Sequence, residues 1–146
     1  MYEEFKVTKP LQIISFYSAF EEVFDNGHFF PGEAHDFWEL VCVIDGNATI
    51  SADERVYNLR ANDIILHKPM EIHKFKINTA KTRLFVVSFS AVGVFLKKLE
   101  NCVVHLSERQ IKKLGELRIL VGNGEKLNQY DVVNFFLKSV RDNPEI

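Results

Sequence analysis

Hydrophobic and polar positions follow the period of extended backbone along the first two thirds of the chain, and the period of helix along the last third. "LQIISFY" (11–17) is rich in β-branched and aromatic residues. Residues 37–44 form the longest apolar run, closed by Asp45-Gly46, a dipeptide that favours a two-residue hairpin turn. "ATISA" is expected to return from that hairpin, and "ADER" (52–55) to turn the chain again before "VYNL". "DIILH" (63–67), "HKFKI" (73–77) and "RLFVVSF" (83–89) read as further strands. Short strands at this spacing, with turn residues between them, predict a sandwich or barrel.

After residue 89 the period changes. Ser90 is placed to cap a helix carrying Val92, Phe95, Leu96 and Leu99. Ser107 and Gln110 form a capping-box pattern, and Ile111, Leu114, Leu117 and Val121 line one side of the helix that this pattern starts. "GNGE" (122–125) breaks that helix. A last one is expected from about Asn128, with Val133, Phe136, Leu137 and Val140 as its apolar stripe, packed on the β-body or against a second subunit. The plan is a mainly β body over 1–89 and a helical annex over 90–146, in one structural unit.

A length of 146 residues suits one domain with a real core, and thirteen Phe in a chain that is 47% hydrophobic exclude a disordered segment. Charges interrupt every apolar run before it could span a bilayer, and "MYEEFKVTKP" is no secretory signal. Cys42 and Cys102 are too few for a disulfide scaffold. A cytoplasmic protein is the expectation. Acids concentrate in the first sixty residues and Lys/Arg after them, without the dense basic cluster that grips nucleic acid.

The chemistry lies in the longest strand. Alternation puts Glu33, His35, Phe37, Glu39, Val41 and Val43 on one face, and Trp38, Leu40, Cys42 and Ile44 on the other. Both faces are apolar beyond residue 39, so one lines the interior and the other needs cover from helices or a partner subunit. Glu39, between Phe37 and Val41, is a carboxylate whose burial is costly without a cation or a proton. Inward-facing His73 is expected to join His35 and Glu39, with Glu33 as a fourth member. Sets of this kind bind zinc, iron, nickel or manganese. A site for a small organic ligand and a plain internal hydrogen-bond cluster are the other two readings. Phe29, Phe30, Phe37 and Phe75 are candidates for a cavity wall or for core packing. His67 is expected at a rim, His28 and His105 at the surface, Cys42 as an inert buried thiol, and Lys74 and Lys76 on a solvated face.

The spacing of His35, Glu39 and Gly46 resembles the first motif of the cupin superfamily. "NDIILHKPMEIH" (62–73), with Asp63, Pro69 and His73 in place, resembles the second. More narrowly, "AHDFWELVCVIDG…NDIILHKPMEIHKF" is similar to the N-terminal sensor domain of AraC-type transcriptional regulators. The resemblance implies a cupin (double-stranded β-helix, jelly-roll-like) barrel with an N-terminal arm over 1–10 and two to three α-helices after it. It implies a small organic effector, a sugar or related metabolite, bound inside the barrel, with His35, Glu39, His73, Phe37, Glu33 and Phe30 as contacts. It further implies a homodimer through residues 107–142, and action on DNA only through a C-terminal helix-turn-helix domain absent from this chain. No catalytic residue and no cofactor are expected. The sequence departs from the pattern where Glu33 replaces a second metal histidine, Asn62 a glycine, Lys68 a proline, and Met70-Glu71 a glycine-containing turn. The rival is a stand-alone metal-dependent cupin enzyme, an isomerase or dioxygenase, holding a divalent metal on His35, Glu39 and His73.

Overall fold

A computed structural model of the chain describes residues 10–146, so most of the expected N-terminal arm lies outside the described residues. In chain order the strands are β1 (Gln12–Phe24), β2 (Phe29–Glu33), β3 (Trp38–Asp45), β4 (Asn47–Ala52), β5 (Arg55–Arg60), β6 (Asp63–His67), β7 (His73–Ile77), β8 (Thr82–Val92) and β9 (Val103–His105). They form two antiparallel sheets, β1-β8-β3-β6-β9 and β2-β7-β4-β5. The two sheets make a mainly β, jelly-roll barrel, followed by two α-helices, α1 (Glu108–Gly122) and α2 (Gln129–Asp142).

The alternation along β3 separates two cores, as its pattern requires. Val41 and Val43 meet Ile50, Leu59, Ile77 and Leu84 between the sheets. Leu40 and Cys42 face outward and join Phe85, Leu114, Leu117, Val132, Phe135 and Phe136 beneath the helices. The outer face of β3 therefore finds its cover within the chain. Phe135 and Phe136 are fully buried there, each worth roughly 2–3 kcal/mol of transfer free energy.

Three local expectations change. Asp45-Gly46 makes no hairpin: β3 pairs with β6 and β8, while β4 pairs with β5 and β7, so this turn carries the chain from one sheet to the other. Gly46 has φ +93°, and a Cβ there would collide with Thr82. Corner and hairpin use the same turn chemistry, and only long-range pairing separates them. Asp53-Glu54 is the true hairpin, with Ala52 opposite Arg55. Ser90 caps nothing: β8 runs on to Val92, and Ser90 Oγ lies 2.6 Å from Ser15 Oγ on β1. A 3-10 helix, Phe95–Leu99, comes next, and β9 returns to the first sheet, so the segment after residue 89 is not wholly helical.

The helices start where their capping residues predict. Ser107 Oγ accepts from Gln110 N at 3.3 Å, and Asn128 Oδ1 from Tyr130 N at 2.7 Å. On α2, however, the buried residues are Val132, Phe135, Phe136 and Ser139, while Val133, Leu137 and Val140 are half-buried beside them. The apolar surface of α2 is wider than one stripe. Ser139 and buried Gln110 satisfy each other at 2.6 Å, which lets two polar groups sit in that core.

Candidate functional site

Glu33, His35 and Glu39 do not share one continuous strand. β2 ends at Glu33, residues 34–37 form a bend, and β3 begins at Trp38. A register irregularity between Phe30 and Glu33, with φ +118° at Gly32, re-aims β2 so that Glu33 lies opposite His73. His35 is fixed from behind: its ring stacks on Phe37 at 3.8 Å and 4°, and its Nδ1 lies 3.0 Å from Phe37 O. Tyr17 stacks on Phe37 at 4.3 Å, so Phe37 is sandwiched between two rings and is not part of the cavity wall.

His73 opens β7, with Nδ1 3.1 Å from the carbonyl of Glu71. A carbonyl only accepts, so both rings donate Nδ1–H and turn Nε2 inward as a lone pair. Those two Nε2 atoms are buried and have no hydrogen-bond partner. They face carboxylates: His73 Nε2 lies 3.0 Å from Glu39 Oε2 and 3.5 Å from Glu33 Oε1. His35 Nε2 lies 3.7 Å from Glu39 Oε1 and 3.6 Å from Glu33 Oε1. Ser88 Oγ, on β8, donates to Glu39 Oε1 at 3.3 Å. Four acceptors thus converge, and such a cluster calls for a positive centre.

The protein's own answer is a proton. Burial pushes the Glu39 carboxyl up, but the hydrogen bond and attraction of His73, helped by the nearby imidazoles of His67 and His35, outweigh it, and the group lies below its ordinary value. Burial likewise pushes His73 down, and Glu39, Glu71 O and Glu33 carry it above its ordinary value. A divalent metal also fits. One ligand atom from each of Glu33, His35, Glu39 and His73 lies within 4.8 Å of the others. Donors about 2.0–2.2 Å from an ion sit roughly 3–3.5 Å apart, and a metal-bound imidazole keeps its second N–H on a carbonyl, as both rings do here.

Beside this cluster opens a cavity of about 350 Å³ between the sheets. β1 contributes Ser18, Phe20, Glu22 and Phe24; Val41, Ile50, Leu84 and Val86 form an apolar floor; Glu33, Glu39, His67 and His73 form the polar end. Phe75 is the centre of an aromatic wall, stacked on Phe30 at 5.3 Å and 10° and met by Phe24 at 5.3 Å and His28 at 5.9 Å. Of the residues expected as contacts, Glu33, Glu39, His73 and Phe30 line the cavity; His35 closes the cluster behind them, and Phe37 backs His35. Phe29 is exposed, and Lys74 and His28 reach the cavity.

Two features of the site differ from what the sequence leads one to expect. His67 is no rim residue: only 1% of it is exposed, its Nδ1 lies 2.7 Å from buried Glu71 Oε1, and its ring stacks on His73 at 4.4 Å. Strand β1 runs well beyond the expected 11–17, to Phe24; its second half, "SAFEEVF", holds the β-favouring residues Phe20, Val23 and Phe24, but the adjacent Glu21 and Glu22 break the alternation that would have shown it.

The family model for the AraC-like ligand binding domain matches residues 16–92, more than half of the chain and the whole of the cavity-bearing part. The chain belongs to the AraC-like ligand-binding domain family. No curated protein matches it. Solved structures similar to this AraC-like domain include the Schizosaccharomyces pombe Cnp3 cupin domain, with 11% identity over 59% of this chain and 69% of that one and a TM-score of 0.48. KdgF from Halomonas sp. shares 13% identity over 60% of this chain and 86% of its own, with a TM-score of 0.48. A predicted oxalate decarboxylase from Thermotoga maritima shares 12% identity over 51% and 67%, with a TM-score of 0.49. Among the described residues no helix is long and apolar enough to cross a membrane.

Proposed function

We propose that this domain senses a small organic effector in the barrel cavity and regulates sequence-specific DNA binding by a helix-turn-helix unit outside this chain. The observation that carries the reading is the cavity of about 350 Å³, two-ended, with an apolar and aromatic wall facing an imidazole–carboxylate end. A sugar or related metabolite suits it: ring C–H faces lie on Phe30 and Phe75, and hydroxyls donate to Glu33 and Glu39. Binding energy reaches the rest of a regulator only as a difference between two arrangements. Strand β1, which lines the cavity and packs on α1, is the element placed to feel that difference. Homodimerisation through residues 107–142 and a cytoplasmic location belong to the same proposal. Half-buried Val133 and Leu137 beside exposed Tyr130 give α2 an apolar outward surface in support.

The test is a protein-observed NMR screen with sugars and sugar acids. Shifts confined to Glu39, Phe30, Phe75 and the β1 residues Phe20 and Phe24 are expected. Hits that scatter over the surface and leave those residues unmoved would sink the reading.

A second reading rests on the unpartnered Nε2 atoms of His35 and His73. A divalent metal held by Glu33, His35, Glu39 and His73 would supply Lewis acidity for a small cupin enzyme. The chain's own residues would then bind and exclude water: Phe30 and Phe75 orient the substrate, and the apolar floor keeps solvent from the cluster. Elemental analysis of protein prepared without affinity metals separates the two. Stoichiometric metal lost in His35→Ala favours the enzyme, and metal-free protein that still binds an effector favours the sensor.

A further inference from the structure

The turn Lys68–Glu71 departs from the family pattern, and its departures converge on the three inward imidazoles. Met70 adopts φ +66°, a left-handed conformation that glycine takes without cost, and its N–H donates to His35 O at 2.6 Å. Glu71 serves two rings at once: its main-chain oxygen accepts from His73 Nδ1 at 3.1 Å, and its carboxylate lies 2.7 Å from His67 Nδ1. Glu71 is 4% exposed and His67 1% exposed, so this is a buried charge-assisted hydrogen bond. His67 sits opposite Glu39 across β3 and β6, with its ring against His73, and it lines the cavity. None of this is needed to fill the barrel, since an apolar side chain at residue 67 would pack there without a carboxylate behind it. Burying a carboxylate to hold one ring makes physical sense where the ring's orientation matters.

We propose that His67 is a specificity-determining residue of the cavity, and that Glu71 is its positioning residue. Glu71 Oε1, 2.7 Å from His67 Nδ1, is placed to accept from that nitrogen, which leaves Nε2 as the ring's fixed acceptor. The cavity thereby reads a hydrogen-bond donor, a hydroxyl or N–H on the ligand, at a point set apart from Glu33 and Glu39. Resting on the sensing reading, this names the ligand class: a compound with an apolar or ring-shaped body and a donor placed for His67. Apolar analogues of the same shape are rejected because they leave Nε2 dry and unpaired.

The test uses metal-stripped protein and two small probes of similar shape, phenol, which donates, and fluorobenzene, which does not. Long-range ¹H–¹⁵N correlation spectra of wild type are expected to show His67 protonated at Nδ1. Glu71→Gln keeps that tautomer, because the amide oxygen still accepts, and keeps phenol binding within about twofold. Adding His67→Phe to Glu71→Gln removes the acceptor without stranding a buried charge. It should weaken phenol about tenfold and tighten fluorobenzene, which no longer leaves a buried acceptor unpaired. An Nε2–H tautomer in wild type overturns the proposal, and so does equal weakening of both probes. Either result leaves the cavity standing as a ligand site. Failure of both probes to shift any cavity residue of wild type overturns the proposal too, while the sugar screen decides the sensing reading separately.

Discussion

Glu21 on β1 and Arg118 on α1 are joined by two hydrogen bonds of 2.5 and 3.0 Å, and Arg83 Nη1 meets the same carboxylate at 3.0 Å. Hydrogen bonding to Arg118 outweighs burial and holds the Glu21 carboxyl below its ordinary range. Glu21 stands between Phe20 and Glu22, which line the cavity, so one strand touches the cavity with one set of side chains and helix α1 with the other.

Loss of this tie is measurable. Arg118→Ala should lower stability by about 1 kcal/mol, the discounted worth of a partly exposed pair. At this chain length that is a thermal midpoint lower by roughly 2–4 °C. Probe affinity of the isolated domain should stay unchanged, and a calorimetric scan with a parallel titration checks both.

The Glu39–His73 contact makes stability depend on pH in metal-stripped protein. His73 is raised above its ordinary 6.5, so its contribution is full below that value and is lost as pH climbs through the folded pKa. Glu39 is lowered from 4.5, so its contribution is full above that value and fades as pH falls through the folded pKa. Between them the pair contributes most in mild acid. Urea midpoints from pH 4 to 9 should show a decline on the alkaline side that Glu39→Gln flattens. A profile with the same alkaline slope in the variant would place that decline elsewhere.

Metal addition offers a third check. Zn²⁺ or Mn²⁺ at millimolar concentration should raise the midpoint of stripped protein, since ions that bind only the folded state stabilise it by mass action. His35→Ala should abolish the rise, and Glu33→Gln should reduce it. A rise that persists in His35→Ala points to surface binding.

Gly46→Ala should be among the most damaging small substitutions. It combines a positive φ with a collision against Thr82, and several kcal/mol is the scale for such a site. Chemical denaturation of the variant beside Gly115→Ala, where nothing lies within 4 Å, isolates the effect of the corner.

Much of the fold is legible in the sequence, for reasons that differ by element. Alternation along residues 38–45 encodes burial directly, and the two cores on either side of β3 come straight from it. Caps at Ser107 and Asn128 are local chemistry, read from a few residues. The Asp45-Gly46 corner is not legible, because turn residues specify how sharply a chain bends and not which sheet receives it. The burial of His67 escapes the sequence because it depends on Glu71, four residues away across a turn whose left-handed Met70 no local pattern announces. Parity groups Glu33, His35 and Glu39 on one face as if on a single strand; that they come from two strands joined by the bend at 34–37 is invisible to it.

The corner at Gly46 also bears on how the domain is made. Because β3 is not zipped to β4, its partners come later: Cys42 waits for Phe85, and Gln12 on β1 for Val92. β1 and β3 both wait for β8, while β2 and β4 wait for β7, so the strands around the cavity are closed by partners that come late in the chain. Folding dominated by such distant contacts is slow, and a nascent chain exposes its apolar strands until residue 92 has left the ribosome. The domain should therefore refold as one late, cooperative event, with ligand competence and strand closure arriving together.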